Sequence, residues 1–241
     1  MKESRIVVLH PGTDIPGEPK APGDFRKIFN ISDRPLLLSV GRLTRRKGLA
    51  EFVERALPTI VENHPGVTLA VIGGEAENAL HGVSRGQREH IIGIAAAAGV
   101  EKNVRFLERC DDDALRDAYR AADCHVFPVL AVPGDVEGFG MVAIESAAHG
   151  LPTVAFAVGG VQDAVDESAS GILVNAGDYD RFGQAVMEVL SRTPEERIAY
   201  RARGISFSRQ FAWPEFRKRL FEILSLSSND SAPAAPAGLQ P

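Results

Sequence analysis

Apolar residues fall in short runs, separated by longer stretches in which they recur with helical spacing. The runs Leu36–Val40, Val67–Ile72, Val104–Leu107, Cys124–Phe127, Thr153–Phe156 and Ile172–Val174 read as strands. Residues 48–62, 87–98, 112–121, 140–149 and 179–191 read as helices between or after them, and 195–204 and 213–226 as two more. Strands that alternate with helices form βαβ units. The expected fold class is therefore α/β: a Rossmann-like, doubly wound parallel sheet of about six strands. Runs such as LLLSV and VTLAVIG are apolar on both faces, which suits a sheet covered on both sides.

The two ends break this pattern. Arg5–Leu9 reads as a strand, but HPGTDIPGEPKAPGD after it is rich in proline and glycine and reads as a linker. Such a strand either edges this domain's own sheet or belongs to a sheet elsewhere. The last stretch, SSNDSAPAAPAGLQP, is small, polar and rich in proline and alanine, so a disordered tail is expected.

Composition narrows the class. Hydrophobic residues make up 44% of the 241, enough for a substantial core and incompatible with wholesale disorder. A net charge of −5 argues against a nucleic-acid binder held by phosphate contacts, although a local basic cluster can still grip one small anion. Cys110 and Cys124 lack metal-ligand spacing and are expected to stay reduced. No apolar run approaches the roughly 18 residues of a membrane span, and the N-terminal run is too short for a signal peptide. A soluble cytoplasmic protein is expected.

The most informative segment is DVEGFGMVAIESAAHGLPTVAF, residues 135–156. Gly138 and Gly140 lead into a helix, Gly150 suits its C-terminal cap, and Pro152 follows. Phe139–Ala148 is apolar or small throughout except for Glu145, so the helix reads as buried and its carboxylate needs a partner. A ligand with two hydroxyl donors would satisfy both oxygens. An exposed helical face, or pairing with a buried arginine, would also account for Glu145. Backbone N–H groups around Phe139, Gly140 and Met141 form a ready anion site at the helix start. Phosphate at the helix start and a polyol further along describe a nucleotide sugar. Glu137 alone reads as a solvated loop acid. Gly138-Phe-Gly140-Met-Val-Ala143 also fits a dinucleotide fingerprint, but it follows the fourth strand rather than the first, which disfavours that reading.

Leu36–Val40 runs into GRLTRRKG, residues 41–48. Ligands of parallel sheets bind beyond the carboxyl ends of the strands, so Arg42 and Lys47 stand where a diphosphate leaving group would need fixed cations. A solvated basic loop is the plainer alternative, and Arg45 and Arg46 read as simple surface charges.

In this order, GRLTRRKG, VRFLERC and EGFGMVAIESAAHGLPTVAFAVGG closely resemble family-4 glycosyltransferases over about residues 6–225. Glu137 and Glu145 match that family's E-x7-E motif, and DVEGFG is similar to bacterial lipid-linked inositol mannosyltransferases. The resemblance implies the donor-binding half of a GT-B fold, in which two Rossmann-like domains face each other across a cleft. It implies a nucleotide-sugar donor, GDP-mannose or a UDP-sugar, with no metal. Carried over by position, Gly41, Arg42 and Lys47 would hold the diphosphate, Glu145 the ribose and Glu137 the transferred sugar. Phe139, Gly140 and Met141 would touch the sugar or distal phosphate. Arg109, Cys110 and Leu115 would wall the base. Glu137, Arg42 and Lys47 are the catalytic candidates.

The implied domain organisation is a remnant strand and interdomain linker in 1–30, the nucleotide-sugar-binding domain in 31–205, a closing helix in 206–226 and the tail in 227–241. FAWPEFRKRLFEIL resembles the closing helix, and His10-Pro-Gly-Thr-Asp14 stands where the family has its hinge turn. The family's N-terminal acceptor domain has no counterpart, and neither does the histidine it supplies. His10, His64, His81, His90, His125 and His149 show no compensating clustering in sequence. A separate N-terminal domain or subunit is therefore the expected partner, with an acceptor lipid at a membrane surface in the complete enzyme. The alternatives are a binding module without activity and a GT-B sugar-nucleotide epimerase.

Overall fold

The computed structural model describes residues 6–16, 25–32, 34–75, 86–107 and 110–229. Six strands form one sheet: β1 (Leu36–Val40), β2 (Thr68–Ile72), β3 (Val104–Leu107), β4 (Cys124–Phe127), β5 (Thr153–Phe156) and β6 (Gly171–Val174). Their order is β3-β2-β1-β4-β5-β6 and every neighbouring pair is parallel. The chain winds outward from β1 to β3, then restarts at β4 on the other side of β1. The β1/β4 boundary is thus the switch point, where crevices open beyond the strand ends.

Helices cover both faces. They are α1 (Phe25–Ile28), α2 (Leu49–Arg55), α3 (Leu57–Asn63), α4 (Gln87–Ala97), α5 (Asp112–Ala121), α6 (Met141–Ala148), α7 (Val161–Ala164), α8 (Tyr179–Leu190), α9 (Pro194–Ser208) and α10 (Trp213–Asn229). Two-faced burial explains the unbroken apolar strands. Leu37 points into one core cluster, while Leu36 and Leu38 point into the other, and all three are fully buried.

Three local expectations need correction. Residues 48–62 form two helices broken at Ala56, because Pro58 lacks the N–H that would bond the carbonyl of Glu54. The proline- and glycine-rich stretch ends in α1, whose Phe25 is buried in the core, so packing resumes before residue 30. The apolar run at the N-terminus pairs with no strand of this sheet, and Ile6 and Val8 are 90% and 73% exposed. Arg5 and the stretch 230–241 lie outside the described residues. Instead, Thr13 N–H donates to Phe211 O at 2.8 Å, tying the hinge segment to the start of α10. Among the described residues no helix is long and apolar enough to cross a membrane.

His125 on β4 is fully buried, with Nδ1 3.1 Å from Thr153 Oγ1. Burial, then the charge of Lys47, lowers its pKa from 6.5 to about 3. Between those values the unfolded chain binds the proton that the folded chain refuses. This contribution to stability is complete above pH 6.5 and is lost as pH falls toward 3. Urea midpoints measured from neutral pH downward should decline through that window.

Candidate functional site

The turn after β1 carries the basic loop to the switch point. Gly41 has φ +132°, and its N–H donates to Ile72 O at 3.0 Å, so the loop leaves β1 along the end of β2. A 3₁₀ turn at Arg45–Lys47 then ends at Gly48, with φ +66°. A Cβ there would lie 1.9 Å from the carbonyl oxygen of Pro128, so only glycine lets the loop rest on the end of β4. This approach places the Lys47 ammonium 4.7 Å from the centre of the Phe127 ring.

The acidic segment arrives from the other side. Gly160 N–H donates to Glu137 O at 3.1 Å, and a Cβ on Gly160 would lie 2.0 Å from Gly138 O. The AVGG turn after β5 therefore clamps the backbone at 137–139. Gly140, with φ +95°, turns the chain into α6. α6 begins at Met141, where the first N–H groups of a helix lack intrahelical partners; Ala143 N–H turns back to Gly140 O at 2.9 Å.

The two loops meet through charge. Lys47 Nζ lies 2.7 Å from Glu137 Oε2, and Arg46 Nη1 donates to the same oxygen. Arg46 Nε is 2.8 Å from Asp135 Oδ1. The side chains of Arg46, Lys47 and Glu137 are only 14%, 19% and 13% exposed, so water screens these pairs far less than surface ones. Burial lowers the pKa of Lys47, opposed by its bond to Glu137 and that group's charge. Arg46 is therefore not the simple surface charge that its sequence context suggested. Arg42 and Arg45 are exposed. Arg42 makes no ion pair among the described residues.

One helical turn along α6, Glu145 accepts a 2.9 Å bond from the Tyr119 hydroxyl of α5. Its internal partner is thus a neutral phenol rather than an arginine. Burial, then the Glu145 charge, holds the Tyr119 pKa well above 10.0, so the phenol keeps its proton and donates. Glu145 itself is partly exposed.

Gly41, Arg42 and Lys47 line a cavity of about 100 Å³ at the end of β1. An adjoining chamber of about 410 Å³ opens beyond β2 and β3, lined by Gly73, Gly74, Arg88, Phe106 and Cys110. Leu43 lines both. Leu115 packs behind the second chamber with the core cluster that includes Leu107 and Tyr119. Arg109 lies outside the described residues. His10 was not singled out from its motif, yet it stacks on Phe139 with centroids 4.5 Å apart. Its Nε2 is 3.4 Å from Asp163 Oδ2. His90 lines the smaller cavity. Neither placement leaves a signal in local sequence.

Residues 23–205 match the family described as glycosyl transferases group 1. The chain belongs to that family. Among its group 1 relatives, D-inositol 3-phosphate glycosyltransferase of Corynebacterium urealyticum is 32% identical over 92% of this chain and 51% of its own length. The enzyme of the same name from Thermomonospora curvata is 34% identical over 98% of this chain and 55% of its own. Sucrose-phosphate synthase from Thermosynechococcus elongatus superposes with a TM-score of 0.74 at 27% identity, covering 92% of this chain and 53% of that one. Anabaena Alr3699/HepE, solved with UDP-glucose, gives a TM-score of 0.74 at 23% identity, covering 91% of this chain and 57% of that one. At that identity the likeness concerns the fold. The chain spans about half the length of the curated relatives it matches. Its sheet and helices form one Rossmann-like half of a GT-B fold.

Proposed function

We propose that the chain is the donor-binding half of a retaining glycosyltransferase, which transfers a hexose once an N-terminal domain closes the cleft. The observation that best supports this reading is the 2.7 Å contact between Lys47 and Glu137 at the switch point. It joins the basic loop, the acidic loop and the start of α6 into one small charged site.

In this reading the diphosphate of a nucleotide sugar lies between Arg42, Lys47 and the N–H groups of Phe139, Gly140 and Met141. The base enters the chamber by Cys110, and the ribose hydroxyls donate to Glu145. Fixed cations stabilise the charge that grows on the leaving diphosphate as the glycosidic bond lengthens. Lys47 releases Glu137 as phosphate oxygens take its place, and the freed carboxylate orients the sugar ring. The leaving phosphate oxygen accepts the acceptor's proton on the same face, so configuration is retained. The donor is a UDP-sugar or GDP-mannose, bound without a metal.

Calorimetric titration with UDP and with GDP, each with and without EDTA, tests the site and picks the nucleotide. No heat with either at millimolar concentration would sink the reading. Glu145 offers a sharper check. Glu145→Gln keeps a carbonyl acceptor for Tyr119 but loses the charged bond to ribose, and should weaken nucleotide binding about tenfold to hundredfold. Glu145→Ala should weaken binding similarly and also destabilise the fold by about 1–3 kcal/mol, because the Tyr119 hydroxyl is left buried without its acceptor. A glutamine variant that binds normally would make Glu145 purely structural.

A further inference from the structure

At the opposite end of the sheet from Lys47 lies a cavity of about 250 Å³. It opens at the amino ends of β4 and β5, between the last turns of α5, α6 and α8 and the first half of α9. Arg120, Arg192, Arg197 and Arg201 line it, with Asp123 as its only lining carboxylate. In a chain of net charge −5 this is a local inversion of sign.

That single carboxylate is already engaged. Asp123 Oδ1 accepts from Arg197 at 2.8 Å, and Oδ2 accepts from Arg26 at 3.1 Å and from Leu36 N–H at 2.9 Å. Arg120 is held by Asp117 at 3.0 Å. Arg192 and Arg201 have no ion pair among the described residues, although both are partly buried. The Arg192 guanidinium lies 3.7 Å from the centre of the Tyr200 ring, and its Nη1 is buried without a hydrogen-bond partner. Arg201 lays its stem over Gly150, where a Cβ would come within 2.1 Å of Cγ.

His149 completes the wall. It is 9% exposed, and its Nδ1 donates to the Glu145 carbonyl at 2.8 Å. Its Nε2 is buried and unpartnered. Burial, together with the charges of Arg120, Arg116 and Arg201, lowers its pKa against the opposing backbone bond. Two partly buried guanidiniums without ion pairs call for acceptor oxygens, and the Nε2 lone pair, the ring proton being on Nδ1, calls for a donor; a phosphate that keeps one P–OH offers both.

We infer that this cavity is a second ligand site, separate from the donor crevice, that binds an oxyanion of the phosphate class between Arg192, Arg201 and His149. Arginine forks match phosphate oxygens two at a time. The space falls below the roughly 300–1,000 Å³ of typical ligand pockets, so a phosphate or phosphomonoester head fits better than a nucleotide. The anion is either free in solution or the exposed head of a lipid, and both offer the same chemistry.

The test is titration of the chain with inorganic phosphate at constant ionic strength, with chloride as the control. It is followed by the His149 ring resonances and by the melting temperature. Saturable shifts at His149 and a phosphate-specific rise in melting temperature are expected, and both should persist in Lys47→Ala, where the donor crevice is impaired. Arg192→Gln and Arg201→Gln should each weaken the response about tenfold or more. Vesicles of phosphatidylcholine with and without phosphatidic acid form the second arm. Binding to the acidic vesicles that is lost in both arginine variants assigns a lipid head, whereas binding of free phosphate alone assigns a soluble anion. If a variant fails to fold by circular dichroism, the wild-type His149 titration decides alone. The inference is overturned if phosphate acts no differently from chloride and acidic vesicles are not bound, or if both folded arginine variants respond like wild type.

Discussion

Given a nucleotide sugar and an acceptor, these 241 residues on their own should show no measurable hexose transfer, and adding a separately produced N-terminal domain should restore it. The chain covers about half of each curated relative, so the proposed acceptor wall is supplied from outside it. Holding two reactants in register is worth up to about 7–11 kcal/mol of barrier, and a single wall holds only one of them. The surface is consistent with an absent neighbour: Phe221 and Leu224 on α10 are 66% and 55% exposed, close in chain to the half-buried Phe216. Turnover would be followed by release of nucleoside diphosphate, with and without the second domain. A monodisperse monomer working at about 1–1,000 per second would overturn the expectation.

Replacing Lys47 with alanine should reduce nucleoside diphosphate affinity about a hundredfold or more, the largest loss among single changes at the site. The substitution removes a charge-assisted bond to phosphate, worth about 1.5–3 kcal/mol. It also leaves Glu137 and Asp135 sharing Arg46 as their ion-pair partner among the described residues, so unbalanced negative charge faces the incoming diphosphate. Calorimetry on Lys47→Ala and Arg45→Ala side by side provides the contrast, since Arg45 is exposed and should change little. Affinity in Lys47→Ala within twofold of wild type would move the diphosphate elsewhere.

Most of the sheet was legible because its four central strands are buried on both faces, and continuous apolar runs such as Leu36–Val40 arise from that burial. The break at Ala56 was missed, because the apolar spacing runs on through 48–62 and only Pro58 marks the end of a helix. Glycines and charges within the two loops marked the candidate site. The partnerships across it were not legible. Arg46 reads like Arg45, and only the fold turns one toward Glu137 and leaves the other in water. Tyr119 meets Glu145 from another helix, and His10 meets Phe139 from the hinge, contacts that no local pattern encodes.

The cluster of Arg46 and Lys47 with Asp135 and Glu137 holds two positive and two negative groups. At a distance its field largely cancels, and Arg42, Arg45 and Glu51 at the same cavity leave only about one net positive charge to draw an anion in. Steering by a charged cleft can speed encounter tenfold to a thousandfold, and that gain should be mostly missing here. Nucleoside diphosphate should therefore associate at an ordinary, unsteered rate that changes little with added salt in stopped-flow. In the proposed donor site, selectivity is therefore exercised after encounter, when the ligand must displace the Glu137 carboxylate from Lys47 before it can stay.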